Sequence, residues 1–158
     1  MTIFEAPDFE SSKSLPPKLP VIGENDTVFV DLCFDFDGVI HSYKSGWQGA
    51  DVITDPPVPN AMAALRYYVK HFSIAIYSAR SGQPGGIEKI KWFVGYWNRI
   101  KDLHNTEQDL DLVEVIAFPK HKPAAKAYID DRGVRFEGQW FHLDTLRQLM
   151  VPWYGGNA

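Results

Sequence analysis

Residues 28–38 read VFVDLCFDFDG, an apolar, β-branched and aromatic run that ends in two aspartates and a glycine. A run of that kind predicts a strand buried on both faces. Asp35 and Asp37 stand where it runs out, and two residues apart they share one side of an extended chain. Gly38 permits a sharp turn directly behind them. Outward from this stretch, SIAIYS (73–78) predicts a second short buried strand and LVEVIAF (112–118) a third. KAYID (126–130) predicts a fourth and VRFEG (134–138) a short fifth. Between them, NAMAALRYYVKHF (60–72) carries Ala61, Leu65, Tyr68 and Phe72 at helical spacing, with Met62 and Val69 beside them. The Gly-rich turn SGQPGG (81–86) opens a helix with an apolar stripe of Ile87, Ile90, Val94, Trp97 and Ile100, and a terminal helix is predicted around HLDTLRQLM (142–150). Strands alternating with helices predict an α/β domain whose sheet is mainly parallel, with about five strands.

Composition agrees with one such domain. The chain has 158 residues and a mass of 17.9 kDa, and it is 45% hydrophobic and 23% charged, enough to bury a core. A net charge of −4 and a pI near 5.7 argue against a global nucleic-acid footprint. The single Cys33 cannot form an internal disulfide, which fits a reducing compartment. No apolar run approaches the roughly 18 residues that span a bilayer, and MTIFEAPDFESSKS lacks the apolar core of a signal peptide. A cytoplasmic domain without a membrane segment is expected. Residues 1–26, with Pro7, Pro16, Pro17 and Pro20, read as an extended or disordered N-terminal arm, and residues 27–158 as the domain.

In an open α/β sheet, ligands bind outside the carboxyl ends of the strands. There the sequence gathers its chemistry: Asp35 and Asp37 after the first strand, Ser78 after the second, Asp130 and Asp131 after the fourth, and Lys122 in the turn before it. Acidic groups massed at one edge repel one another unless a cation neutralises them, and oxygen ligands suit Mg²⁺. Ser78 offers a hydroxyl donor to an anionic oxygen and Lys122 a compact positive charge. Pro123 suits the first position of a helix, whose free N–H groups favour anions. The set is suited to phosphate. Lys120 and Lys126 compete with Lys122 for the lysine role. His41, Tyr43 and Trp47 could line a substrate entrance, with an aromatic stacking on a base or sugar, while Trp47 could equally anchor its loop. Cys33 reads as core. The aromatics Trp92, Phe93, Tyr96 and Trp97 exceed one helix face, so part of them would pack either within the monomer or on a second copy.

These motifs resemble those of the haloacid dehalogenase (HAD) superfamily of Mg²⁺-dependent phosphohydrolases. FDFDGVI is similar to its first motif, SIAIYS to its second, Lys122 to its third and YIDDRG to its fourth, in the family's order across residues 28–133. The resemblance implies a single three-layer, Rossmann-like domain of HAD type. The gap from His41 to Pro59 holds a loop but no domain, and the gap from Ala79 to Pro119 is filled by one predicted helix and one predicted strand, so the chain looks like a cap-less member. It also implies that Asp35 attacks phosphorus to form an aspartyl-phosphate. Asp37, with its pKa raised, would move protons to the leaving oxygen and from water. Mg²⁺ would be held by Asp35, the backbone carbonyl of Asp37 and Asp130, with Asp131 as a further ligand or a water-orienting partner, and with Ser78 and Lys122 on the phosphate.

The open site that follows suits a phosphorylated small molecule or a nucleic-acid end, and YIDDR has local similarity to the phosphatase domain of phage-type polynucleotide kinases. An alternative is a catalytically idle HAD-like binding domain, and a third reading is a sugar phosphomutase, which the short first loop weakens.

Overall fold

A computed structural model describes residues 7–9, 11–100 and 110–154. Its central strand is the stretch that opened the sequence, β2 (Val28–Phe34). The short β1 (Val21–Ile22) lies antiparallel to it, while β3 (Ile74–Ile76) and β4 (Ala124–Ile129) both run parallel to it. Phe29 pairs with Val21 as well as Ala124, and Leu32 with Ile74 as well as Ala127. β4 therefore holds one edge of β2, and β1 and β3 share the other.

This corrects the expected mainly parallel, five-stranded Rossmann-like sheet: among the described residues the sheet is mixed and four-stranded. Two expected strands are missing, for separate reasons. In LVEVIAF the first half winds into α3 (Leu112–Val115), because the Asp111 side chain accepts the Val113 N–H at 3.0 Å and caps the turn. Only its tail touches the sheet, through a single parallel bridge from Ala117 to Ala75. VRFEG finds no partner strand among the described residues, and Val134 and Phe136 are exposed.

The expected three layers are also not found. Ile74 and Ile76 face one side of β3 and join α1 (Ala61–Tyr68), α2 (Gly86–Arg99) and α3 in the main core, around Phe34, Phe36, Leu65, Phe93 and Leu112. Ala75 faces the other side, in a smaller cluster with Val28, Val30 and Cys33 that Tyr77, Ala117 and Ala125 flank. All three helices thus cover one face of the sheet. The C-terminal α4 (Leu143–Leu149) has no buried residue. In α2 the core takes Ile90, Phe93 and Val94, whereas Trp92 and Tyr96, and Ile100 just past its end, stay exposed.

Part of the N-terminal arm is folded onto the body. Ser12 is buried with its hydroxyl 2.6 Å from His71 Nε2, and Lys70 Nζ donates to the carbonyls of Lys13 and Leu15. The Lys18 N–H then reaches the Val69 carbonyl at 2.7 Å. No helix among the described residues is long and apolar enough to cross a membrane.

Candidate active site

Three parallel strands deliver the site. Asp35 follows β2 directly, Asp130 follows β4 directly, and Ser78 stands two residues beyond β3. Parallel pairing puts these ends on one side of the sheet, where a cavity of about 450 Å³ opens. Asp35, Asp37, Ser78, Lys122 and Asp130 all line it, with Tyr43, Trp47, Tyr77, Tyr128 and Arg132 among the remaining walls. Five of the six residues singled out from the sequence thus meet in one cavity.

The sixth, Asp131, completes a cluster beneath it. One carboxylate oxygen from each of Asp35, Asp130 and Asp131 lies within 4.8 Å of the others. Phe36, buried in the core against Phe93, fixes the turn that presents Asp35. Gly38 adopts φ +81°, and a Cβ there would collide with the Asp131 carboxylate, so the missing side chain makes room for that carboxylate. The Asp131 side chain is 3% exposed, and its Oδ1 is buried with no hydrogen-bond partner among the described residues. Burial pushes the Asp35 carboxyl up to about 8. The Phe36 N–H, donating to it at 2.8 Å, works against that rise, while Asp130 and Asp131 add to it. Asp130 Oδ1 accepts the N–H groups of Arg132 and Gly133, which fixes its side chain across the turn.

Crowded acidic oxygens, one of them orphaned, fit a hard divalent cation of the Mg²⁺ type. The Asp37 carboxylate lies outside this cluster.

Asp37 takes a different environment from the one expected. Its Oδ1 accepts from His41 Nδ1 and its Oδ2 from Arg80 Nε, both at 2.8 Å. Burial raises its pKa, but the hydrogen bonds from His41 and Arg80 and the Arg80 charge outweigh that and hold the carboxyl below the ordinary range. The expectation of a raised Asp37 is therefore reversed. His41 is 1% exposed and packs on Phe36, so it supports Asp37 from behind instead of lining an entrance. Tyr43 and Trp47 do line the cavity. Arg80 was not singled out from the sequence, although its place two residues beyond Ser78 at a strand end is a usable signal.

Of the three lysines, only Lys122 lines the cavity, with its Nζ 4.4 Å from the Tyr128 ring centroid. Lys126 points elsewhere and pairs with Asp31 at 2.6 Å. Pro123 leads straight into β4, so the expected helix start is absent there. Ser78 is 3% exposed and its Oγ accepts the Arg80 N–H at 3.2 Å, leaving its own proton to donate. Cys33 lies at the cavity wall with its thiol pushed up to about 11, first by burial and then by Asp35, which makes it a poor nucleophile.

Compared with known proteins, the chain matches no family model, no curated protein and no solved structure at a significant level.

Proposed function

We propose that this protein is a Mg²⁺-dependent phosphomonoester hydrolase that works through an aspartyl-phosphate on Asp35, in a cytoplasmic setting. The observation that carries the reading is the meeting, in one cavity, of Asp35 and Asp130 with Ser78 and Lys122, above the cation-seeking cluster that Asp131 completes. The order of these residues in the sequence, similar to that of the HAD phosphohydrolases, supports the same reading. Asp35, Asp130 and Asp131 would hold the metal. When bound, it would keep Asp35 ionised and draw negative charge off the phosphoryl oxygens.

In the first half-reaction an Asp35 oxygen attacks phosphorus in line, and the bond from phosphorus to the ester oxygen breaks with its electron pair leaving on that oxygen. Ser78 Oγ–H and the Lys122 ammonium stabilise the equatorial oxygens as charge redistributes. In the second half-reaction Asp37 takes a proton from water as the water oxygen attacks phosphorus, releasing phosphate and restoring Asp35. The paired donors keep Asp37 deprotonated, the state this base role requires, though they weaken its basicity. They do not suit it to give a proton to the leaving oxygen, which departs as an anion or takes its proton from solvent.

The test is phosphate release from a panel of aryl, sugar and nucleotide phosphates and of phosphorylated oligonucleotide ends, with Mg²⁺ or chelator. Release should require the metal, and Asp35→Asn should abolish it with the fold intact. Metal-independent release, or wild-type turnover by Asp35→Asn, would overturn the reading.

A further inference from the structure

Both oxygens of Asp37 are held by side chains that also hold one loop. Arg80 donates Nε to Asp37 Oδ2 at 2.8 Å, while its Nη1 donates to the carbonyls of Gly49, Ala50 and Val52 at 2.7, 3.1 and 3.0 Å. Its Cζ lies 4.8 Å from the Trp47 ring centroid. On the other side, His41 donates Nδ1 to Asp37 Oδ1 and accepts the Asp55 N–H on Nε2 at 3.3 Å. One guanidinium and one imidazole thus tie the carboxylate to both halves of the segment 43–55. That segment supplies Tyr43 and Trp47 to the cavity wall.

Packing alone does not account for this arrangement. Arg80 is fully buried, yet its Nη2 has no hydrogen-bond partner among the described residues, and a buried donor left unpaired costs stability. Tyr43 sits at φ +58°, a left-handed conformation that a bulky side chain rarely adopts. It is braced edge-on by His41 and Tyr154 at centroid distances of 6.0 and 6.4 Å. Backbone strain of this kind persists where surrounding contacts over-determine it, and it collects at functional sites. A lysine at position 80 could not reproduce the planar fork, which serves a carboxylate, three carbonyls and an aromatic face together.

We propose that Arg80 is a positioning residue that makes the segment 43–55 and the Asp37 carboxylate one mechanical unit. The wall formed by Trp47 and Tyr43 and the carboxylate that takes the proton from water are then held in one register. This rests on the phosphatase reading for its catalytic meaning; the mechanical link stands on the contacts themselves.

The test has two arms. Backbone amide hydrogen exchange over residues 45–55 is compared in wild type, Arg80→Lys and Asp37→Asn. Both variants should exchange faster there while β2 and β3 stay as protected as in wild type. Unchanged exchange over 45–55 in Asp37→Asn would overturn the link even if Arg80→Lys failed to fold.

The second arm is steady-state kinetics on an aryl phosphate with Mg²⁺. Arg80→Lys should lower kcat about 10²-fold, the scale of an ångström-sized misplacement. The exposed Trp47→Leu should lower it about 10-fold with KM little moved, and the double variant should fall no further than Arg80→Lys alone. A Trp47→Leu that raises KM at unchanged kcat, or strictly multiplicative losses, would overturn the coupling. If wild type released no phosphate from any monoester, the phosphatase reading would fail while hydrogen exchange still decided the link.

Discussion

The affinity for Mg²⁺ should depend steeply on pH. In the metal-free protein the Asp35 carboxyl is pushed up to about 8, first by burial and then, against the Phe36 N–H, by Asp130 and Asp131. Below that value the folded protein carries a proton on Asp35 that an incoming cation must expel. One proton displaced per ion changes the binding constant tenfold per pH unit, so affinity should fall about 10²-fold from pH 8 to pH 6. Above pH 8 the curve should flatten. The same protonation has a sign for stability. Because the folded pKa is raised above the unfolded value of 3.8, the contribution of Asp35 is full below that value and is lost as pH rises toward 8. Added Mg²⁺ should therefore raise Tm more at pH 8 than at pH 6. Isothermal titration calorimetry in two buffers of different ionisation enthalpy reads both the affinity and the proton count. An affinity flat between pH 6 and 8, or no proton released at pH 6.5, would refute the assignment of Asp35 to the cluster. Asp35→Asn should lose both the slope and most of the affinity.

Three further outcomes follow from the geometry. Gly38→Ala would force a Cβ into the Asp131 carboxylate at a left-handed φ; it should cost about 1–3 kcal/mol in chemical denaturation and abolish Mg²⁺-dependent turnover. Because Asp37 is held ionised, aryl phosphates should turn over faster than alkyl phosphates, and kcat/KM should fall steadily with leaving-group pKa across a substituted phenyl series; a flat series would mean that a general acid operates after all. Lys122→Ala should lower kcat/KM by about 10- to 10³-fold, in the range of lost charge stabilisation, whereas Lys120→Ala and Lys126→Ala should leave it within about twofold; equal losses for all three would remove Lys122 from the site.

The strand ends were legible because their chemistry is local. An apolar run closing in DFDG, a short buried run closing in Ser78 and a third closing in Asp130–Asp131 each carry their own signal, and parallel pairing brings them together. The sheet was legible less fully. LVEVIAF is apolar enough for a buried strand or a buried helix turn, and the Asp111 cap favours the helix turn. β1 lies hidden in a proline-rich arm, where two residues pair with β2 after a turn in which Asn25 and Asp26 adopt positive φ. Such a pairing leaves no periodic trace. Arg80 and His41 could be read as polar residues near the site, but their grip on Asp37 depends on contacts across 43 residues for Arg80, which no local pattern encodes. The direction of the Asp37 shift was illegible for the same reason.

The placement of β2 also sets a timetable. Its hydrogen-bonding partners arrive late during synthesis: Ser73 bonds Asp31 across 42 residues, and Lys126 reaches the same carboxylate across 95. Last, in the turn beyond the strand, comes Trp153, whose indole N–H donates to the Gly38 carbonyl at 3.0 Å across 115 residues. A chain made from its N-terminus displays this apolar strand, sheltered only by the two-residue β1, while most of its remaining sequence is still being added. Contacts of such long separation slow folding and prolong the exposure of sticky surface. Yield in a host cell should therefore track the pace of translation and the supply of chaperones more closely than the stability of the finished fold.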